Sequence, residues 1–248
     1  MLEHFARELD AGKGVRLWLV RLDDDATHDE LLSLLSSDER ERAASYPGTT
    51  RARRFVRGRG ALRVVLGEMA GVPPADLRFA YGRDGKPSLA EASGAAASAL
   101  HFNVSHARDL ALIVVAHGRR VGVDIAWARG EMRLGPVVER FFSSPERTAF
   151  DAVAEGEGEG EGEGGRKRRD VFTRIWVRKE AYLKGRGEGI SERIYDTDFS
   201  VLAATEGDRA FRGACNCGMR DQDQWRVLDV DGLPDGFMAS VALERLTT

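Results

Sequence analysis

Cysteine is nearly absent from this sequence: the 248 residues contain two, Cys215 and Cys217, one residue apart in "ACNCGM". That spacing is too tight for easy disulfide geometry, and no further Cys or nearby His completes a zinc set. Plain thiols in a reducing cytoplasm are expected. Long hydrophobic runs are missing too. No apolar stretch approaches the roughly 20 residues that cross a bilayer, so no membrane partner is expected. The segment "MLEHFARELDAGKGVRLWLV" lacks a basic stretch followed by an apolar one and a cleavage site, so no signal peptide is expected. A large excess of positive charge is also lacking. The net charge is −3, which argues against a general nucleic-acid binder.

What is present is the composition of an ordinary globular chain, 42% hydrophobic and 31% charged, long enough for one large domain or two small ones. "VRLWLVRLD" is β-rich and reads as an opening strand. "HDELLSLLSSDERERAASY" reads as one helix running into a second, with Ser36 and Glu39 at capping-box spacing. "RARRFVRGRGALRVVLGEMAG" reads as a helix with Phe55, Leu62, Val65, Leu66 and Met69 on one side, ending at Gly71 before Pro73. "LRFAYGRDGKPSL" gives a strand, a turn at Asp84-Gly85 and an exit at Pro87. "LHFNVSH" is a short strand. "LALIVVAHGRRVGVDIA" reads as a hairpin around "HGRR". "FFSSPERTAFDAVA" is a helix capped by Ser143 or Ser144, with Pro145 in its first turn.

A Glu-Gly alternation runs from Glu155 to Gly165, followed by "RKRRD". It can neither bury apolar surface nor offset backbone entropy, so a disordered loop is expected at about 155–169, with a metal-binding acid tract as the other reading. The helix "FTRIWVRKEAYLKGRGEG" comes next. "IYDTDFSVLA", "RAFRGACN", "QWRVLDVDG" and "FMASVALERL" supply further strands. The order is mixed α+β, not a strict βαβ alternation.

Four constellations can carry chemistry. In "VGVDIAWAR", strand periodicity points Val121, Val123 and Ile125 into a core and Gly122, Asp124 and Ala126 to the other, open face. Asp124 there suits a hard cation such as magnesium, or serves as an edge-strand or turn Asp. Trp176, Glu180 and Lys184 recur at four-residue spacing and share one helix face. They are a surface Glu–Lys pair beside a core Trp, or a carboxylate for metal with lysines for phosphate oxygens. Arg51, Arg53, Arg54, Arg57, Arg59 and Arg63 crowd one helix, either as a solvated face or as bidentate anion ligands. Lys86 follows a tight turn, and Ser105 and His106 end a strand.

Taken in order, "RRFVRGRGALR", "GKP", "FNVSH", "VGVDI", "RFFSSPE" and "WVRKEAYLK" resemble the 4′-phosphopantetheinyl transferases of the surfactin-synthetase-activating type, from about Arg51 to Gly189. "WVRKEAYLK" fits the family's W-x-x-K-E-A-x-x-K helix at every fixed position. The resemblance implies an α+β monomer of two similar halves, 1–118 and 119–248, related by pseudo-two-fold symmetry, with the active site in the cleft between them. It implies transfer of the phosphopantetheine arm of coenzyme A to a serine of an apo acyl or peptidyl carrier protein, releasing 3′,5′-ADP. It implies that Asp124 and Glu180 bind magnesium and that Glu180 and Lys184 are catalytic. Lys86, Pro87, Ser105, His106 and Lys179 would contact coenzyme A, with Lys179 steadying the pyrophosphate; Arg54 and Arg59 would meet phosphates. Glu146 matches a further acidic position. The sequence departs from the family at Ala126, where many members carry a second carboxylate two residues after the Asp. Two other readings stand beside this one: a coenzyme A-binding protein without transfer activity, and an adaptor for an anionic partner built on the arginine helix.

Overall fold

The computed structural model describes residues 2–11, 14–46, 48–82, 86–130, 134–153, 163–187, 197–199 and 224–245. The architecture is α+β with separate antiparallel sheets, and the chain divides into two compact units, Met1–Arg119 and Arg120–Thr248.

In the first unit β1 (Arg7–Leu9), β2 (Val15–Arg21), β5 (Leu100–Ala107) and β6 (Leu110–His117) form an antiparallel sheet in the order β1-β2-β6-β5. β3 (Phe79–Tyr81) and β4 (Pro87–Leu89) pair separately. The residues on one face of the larger sheet, among them Trp18, Val20, Phe102, Ile113 and Val115, meet helix α3 (Thr49–Ala70) through Leu62, Val65 and Leu66. Burying this many large apolar side chains, each worth about 1.5–3 kcal/mol, is what holds α3 on the sheet. α1 (His28–Leu34) and α2 (Ser37–Ser45) pack beside α3. The expected capping box opens α2: the Ser36 N–H donates to Glu39 Oε2 at 3.1 Å. α3 ends as its sequence requires, on Gly71 in the left-handed region with φ 66°. Gly60 lets α1 come close, since a Cβ there would lie 2.7 Å from that of Leu31. The short helix α4 (Ala95–Ser98) leads into β5.

In the second unit β7 (Val121–Trp127), β9 (Phe237–Glu244) and β8 (Trp225–Asp229) form an antiparallel sheet in the order β7-β9-β8. α5 (Leu134–Phe141) and α6 (Ser144–Ala152) pack against α7 (Glu163–Arg186), which lies on the sheet. Ser143 caps α6 with Glu146 completing the box. An aromatic group of Phe142, Phe150 and Phe172 fills the space between α5, α6 and α7.

Three expectations change. "LALIVVAHGRRVGVDIA" is not a hairpin: β6 pairs with β2 and β5, and β7 pairs with β9, in another sheet. The tight "HGRR" turn looks like a hairpin loop locally, but the partners of both strands come from distant sequence. Of the loop expected at about 155–169, residues 163–169 are helical, because α7 begins at Glu163, and 155–162 lie outside the described residues. The helix takes in the last Glu-Gly-Gly of the tract together with the Arg and Lys that follow it, which favour helix, and Glu163 meets Lys167 one turn on at 3.0 Å. The face of β7 that carries Gly122 and Asp124 is covered rather than open, because α7 lies against it. The turn at Asp84-Gly85, the strand expected at "RAFRGACN", all but three residues of "IYDTDFSVLA" and both cysteines lie outside the described residues. No helix among the described residues is long and apolar enough to cross a membrane.

Candidate active site

On the second unit, the packing of α7 on β7 brings Asp124 to Glu180 and Lys184, which share one face of the helix, Lys184 being 60 residues on in sequence. Asp124 is 6% exposed, on the β7 face that α7 covers. The helix can come this close because both chains carry glycine at the crossing. A Cβ on Gly122 would collide with the backbone of Ala181 and Gly185, and one on Gly185 would meet the Trp225 ring at 2.5 Å. The approach sets the Lys184 ammonium 2.6 Å from Asp124 Oδ1. Glu180, one helical turn before Lys184, is half-buried, and its Oε1 is buried with no hydrogen-bond partner. Burial raises the Glu180 pKa, the nearby Asp124 carboxylate raises it further, and Lys184 opposes both. Trp176, one turn earlier, stacks on Phe172 at 6.0 Å and meets Phe141 edge-on, so it fixes the helix and leaves the chemistry to its neighbours.

A hard divalent cation fits this donor set. Two carboxylates converge, Glu180 has a buried oxygen left over, and the Asp124 charge raises the cost of ionising Glu180. Among the described residues no group of three His, Cys, Asp or Glu side chains gathers. Ala126 shares the Asp124 face and adds no ligand. One or two carboxylates are the usual protein share of a magnesium site that is completed by water and substrate phosphates.

Glu146 and Lys179 do not join the cluster. The Lys179 ammonium is fully buried, 2.8 Å from Glu146 Oε2, and donates to the carbonyl and hydroxyl oxygens of Thr197 at 2.7 and 3.1 Å. Glu146, also at 0% exposure, accepts from the backbone N–H groups of Ser143 and Phe199. Lys179 adjoins Glu180 in sequence, but the 100° step of a helix turns it into the core. The expectation that it steadies a pyrophosphate is therefore replaced by a structural ion pair. Arg178 is structural as well: its guanidinium forks onto both oxygens of Asp229 at 2.8 and 2.6 Å, and the Ser240 hydroxyl completes that set.

The first unit holds a pocket of about 860 Å³ between α3, the end of α2, β4 and the β5–β6 turn. Arg42, Arg51, Arg54, Arg59, His106 and Arg108 line it, and among the described residues none that lines it is acidic. Arg54 Nε and Arg59 Nη1 are buried donors without hydrogen-bond partners. Unsatisfied buried N–H groups are costly, and in a basic pocket these two are donors that could take anionic oxygens. Glu39 holds Arg59 there: its carboxylate lies 3.6 Å from Arg59 Nε and 2.7 Å from Arg63 Nε.

The other arginines of α3 are spent on the fold. Arg63 also donates to the carbonyls of Pro74 and Leu77, Arg57 binds Asp24 and the Arg21 carbonyl, and Arg53 pairs with Asp25. Pro87 lines the pocket, and Lys86, half-buried just before it, is not among its lining residues. His106 and Ser105 part company. Strand alternation sends exposed His106 to the pocket, and Ser105 is buried on the opposite face of β5. Arg42, Tyr46 and Arg108 were not anticipated. Arg42 and Tyr46 sit four apart at the end of α2, a spacing that puts them on one face, and the Arg51 guanidinium lies 4.8 Å over the Tyr46 ring.

Two carboxylates beside a lysine on one unit, and arginine donors without hydrogen-bond partners on the other, are groups that a transfer enzyme for phosphorylated substrates could use. The comparisons agree. Residues 120–242 match the 4′-phosphopantetheinyl transferase superfamily, and residues 24–118 match the 4′-phosphopantetheinyl transferase N-terminal family. The chain is 36% identical to the 4′-phosphopantetheinyl transferase HetI of a Nostoc species, over 72% of this chain and 70% of that one. It is 30% identical to the transferase ffp of Bacillus subtilis, over 72% and 71%. The 4′-phosphopantetheinyl transferase Sfp of Bacillus subtilis strain 168 is a more distant match, 26% identical over 73% and 71%. The chain belongs to the 4′-phosphopantetheinyl transferase superfamily.

Proposed function

We propose that the chain moves the 4′-phosphopantetheine arm of coenzyme A onto a serine of an apo acyl or peptidyl carrier protein, with 3′,5′-ADP as the other product. The observation that carries this reading is the convergence of Asp124, Glu180 and Lys184 at the β7–α7 crossing, with a Glu180 oxygen left over. Asp124 and Glu180 would hold magnesium, which when bound would offset the charge that builds on the pyrophosphate oxygens. Glu180, its proton affinity raised by burial, takes the proton of the attacking serine. Lys184 stands one turn on and neutralises a phosphate oxygen as the pyrophosphate bond breaks. Arg54, Arg59 and His106 bind the phosphates of the nucleotide end, and the donors of Arg54 and Arg59 that lack partners support this. Similarity between the two halves is supported by their shared plan, one long helix laid on one antiparallel sheet. Binding of coenzyme A without transfer is the weaker reading, because it leaves the raised proton affinity of Glu180 without a use.

The test is incubation with coenzyme A, magnesium and an apo carrier protein, followed by intact mass. The carrier should gain the mass of the phosphopantetheine arm. An unchanged carrier mass, with coenzyme A bound, would favour the weaker reading.

A further inference from the structure

Lys184 and a divalent cation need the same oxygen atoms. The Lys184 ammonium lies 2.6 Å from Asp124 Oδ1, while Glu180 Oε1, one turn back on the same helix, is left without a hydrogen bond. The lysine therefore neutralises the carboxylate on the strand in preference to the one on its own helix. Asp124 is 9% exposed at its side chain, and Lys184 is 31% exposed. The carboxylate is fixed by the close crossing at Gly122 and Gly185, and the ammonium sits at the end of a long, rotatable stem with a route to water. A cation placed on Asp124 and Glu180 would sit beside that ammonium, and two like charges a few ångströms apart repel strongly in a partly buried site.

We propose that Lys184 is a resident counter-ion: it occupies Asp124 before the metal does, must swing away for the metal to enter, and so reaches the phosphate oxygens only when the cation has displaced it. The inference rests on the metal reading given above and adds an order of events to it. Magnesium is held weakly by the protein alone, because each binding event first breaks the Asp124–Lys184 pair. Ala126 sharpens the effect, since a second carboxylate on that strand face would give the ammonium and the cation separate partners.

Calorimetric titration of the metal- and nucleotide-free protein with magnesium chloride tests the first half. Lys184→Gln removes the competitor and should bind magnesium about tenfold more tightly than wild type. Lys184→Arg keeps a competing cation and should stay within about twofold of wild type. Asp124→Asn should lose binding. Equal affinity in wild type and Lys184→Gln overturns the proposal and leaves the metal site standing. No magnesium binding by any of them, with coenzyme A present or absent, overturns the metal reading as well. The second half is read on the wild type alone. Brief acetylation, followed by peptide mass spectrometry, should label Lys184 several-fold faster at saturating magnesium, with exposed Lys167 as the unchanged reference. Labelling of Lys184 that ignores magnesium overturns the displacement.

Discussion

Lys179 and Glu146 face each other at 2.8 Å with no solvent exposure on either side chain. The pair joins the middle of α7 to the first turn of α6, and the Phe199 N–H bonds the same carboxylate. Burial raises the Glu146 pKa, and the Lys179 charge opposes that shift. Lys179→Met leaves a buried carboxylate without its counter-charge and should destabilise by about 3–5 kcal/mol. Replacing both residues by apolar ones should cost clearly less than the sum of the single changes. Urea melts of the two single variants and the double variant form the cycle that checks this. A folded, stable Lys179→Met with weakened coenzyme A binding would return Lys179 to the ligand.

Glu180 should cost the metal-free protein stability. Its pKa is raised in the folded state, so the fold prefers the protonated form. The Glu180 contribution is then fully present below the ordinary carboxylate pKa and is lost as pH rises through the raised value. Glu180→Gln mimics the protonated form. In chelator its melting temperature should exceed wild type by a few degrees near pH 7–8 and converge with it below about pH 4. The same variant should transfer at about 10²-fold lower rate or worse. A melting difference that is constant with pH would show that the carboxylate charge is not what the fold resists.

Arg108 is the one non-glycine residue with positive φ among the described residues, at 54°, in the two-residue turn between β5 and β6. Hairpin turns of this kind favour glycine at that position, and a non-glycine residue there costs about 1–3 kcal/mol. The side chain lines the basic pocket, so strain is being kept where a cation is useful. Arg108→Gly should hold or raise the melting temperature and weaken binding of 3′,5′-ADP by several-fold, measured by calorimetry. Unchanged nucleotide affinity would separate Arg108 from the pocket's function.

Ala126 shares the Asp124 face of β7, two residues on. An Ala126→Glu side chain should reach the cation and lower the half-saturating magnesium concentration for transfer, and Asp124→Ala should raise it or abolish turnover. Identical magnesium curves for all three folded proteins would remove the metal from β7.

How much of this was legible in the sequence follows from range. Ser36–Glu39, Ser143–Glu146 and Gly71 act within one turn of chain, so spacing alone places them. The period of two placed Asp124 and Ala126 on one strand face, and the period of 3.6 placed Glu180 and Lys184 on one helix face. What covers a face is decided by chain far away. The sequence could not say that α7 lies on the Gly122 side of β7, that β6 and β7 part into different sheets, or that neighbours Lys179 and Glu180 divide between core and cluster. The six arginines of α3 show the same limit. Identical in type, they are sorted into structural and pocket-facing groups by Glu39, Asp24 and two carbonyls that come from other elements.

The glycine contact between Gly122 and Gly185 also sets what the rest of the chain is free to vary. α7 is 24 residues long, about 36 Å at 1.5 Å per residue, and it is pinned near its C-terminal end, within a turn and a half of Glu180 and Lys184. Its first turns, "EGGRKRR", lie at the far end of that lever. Residues gained or lost ahead of Glu163 change where the helix begins and leave the reacting groups in register with Asp124. The sequence ahead of Glu163 is thereby a segment whose length can change without moving Glu180 or Lys184 off Asp124, while one methyl group at either glycine would shift both side chains together.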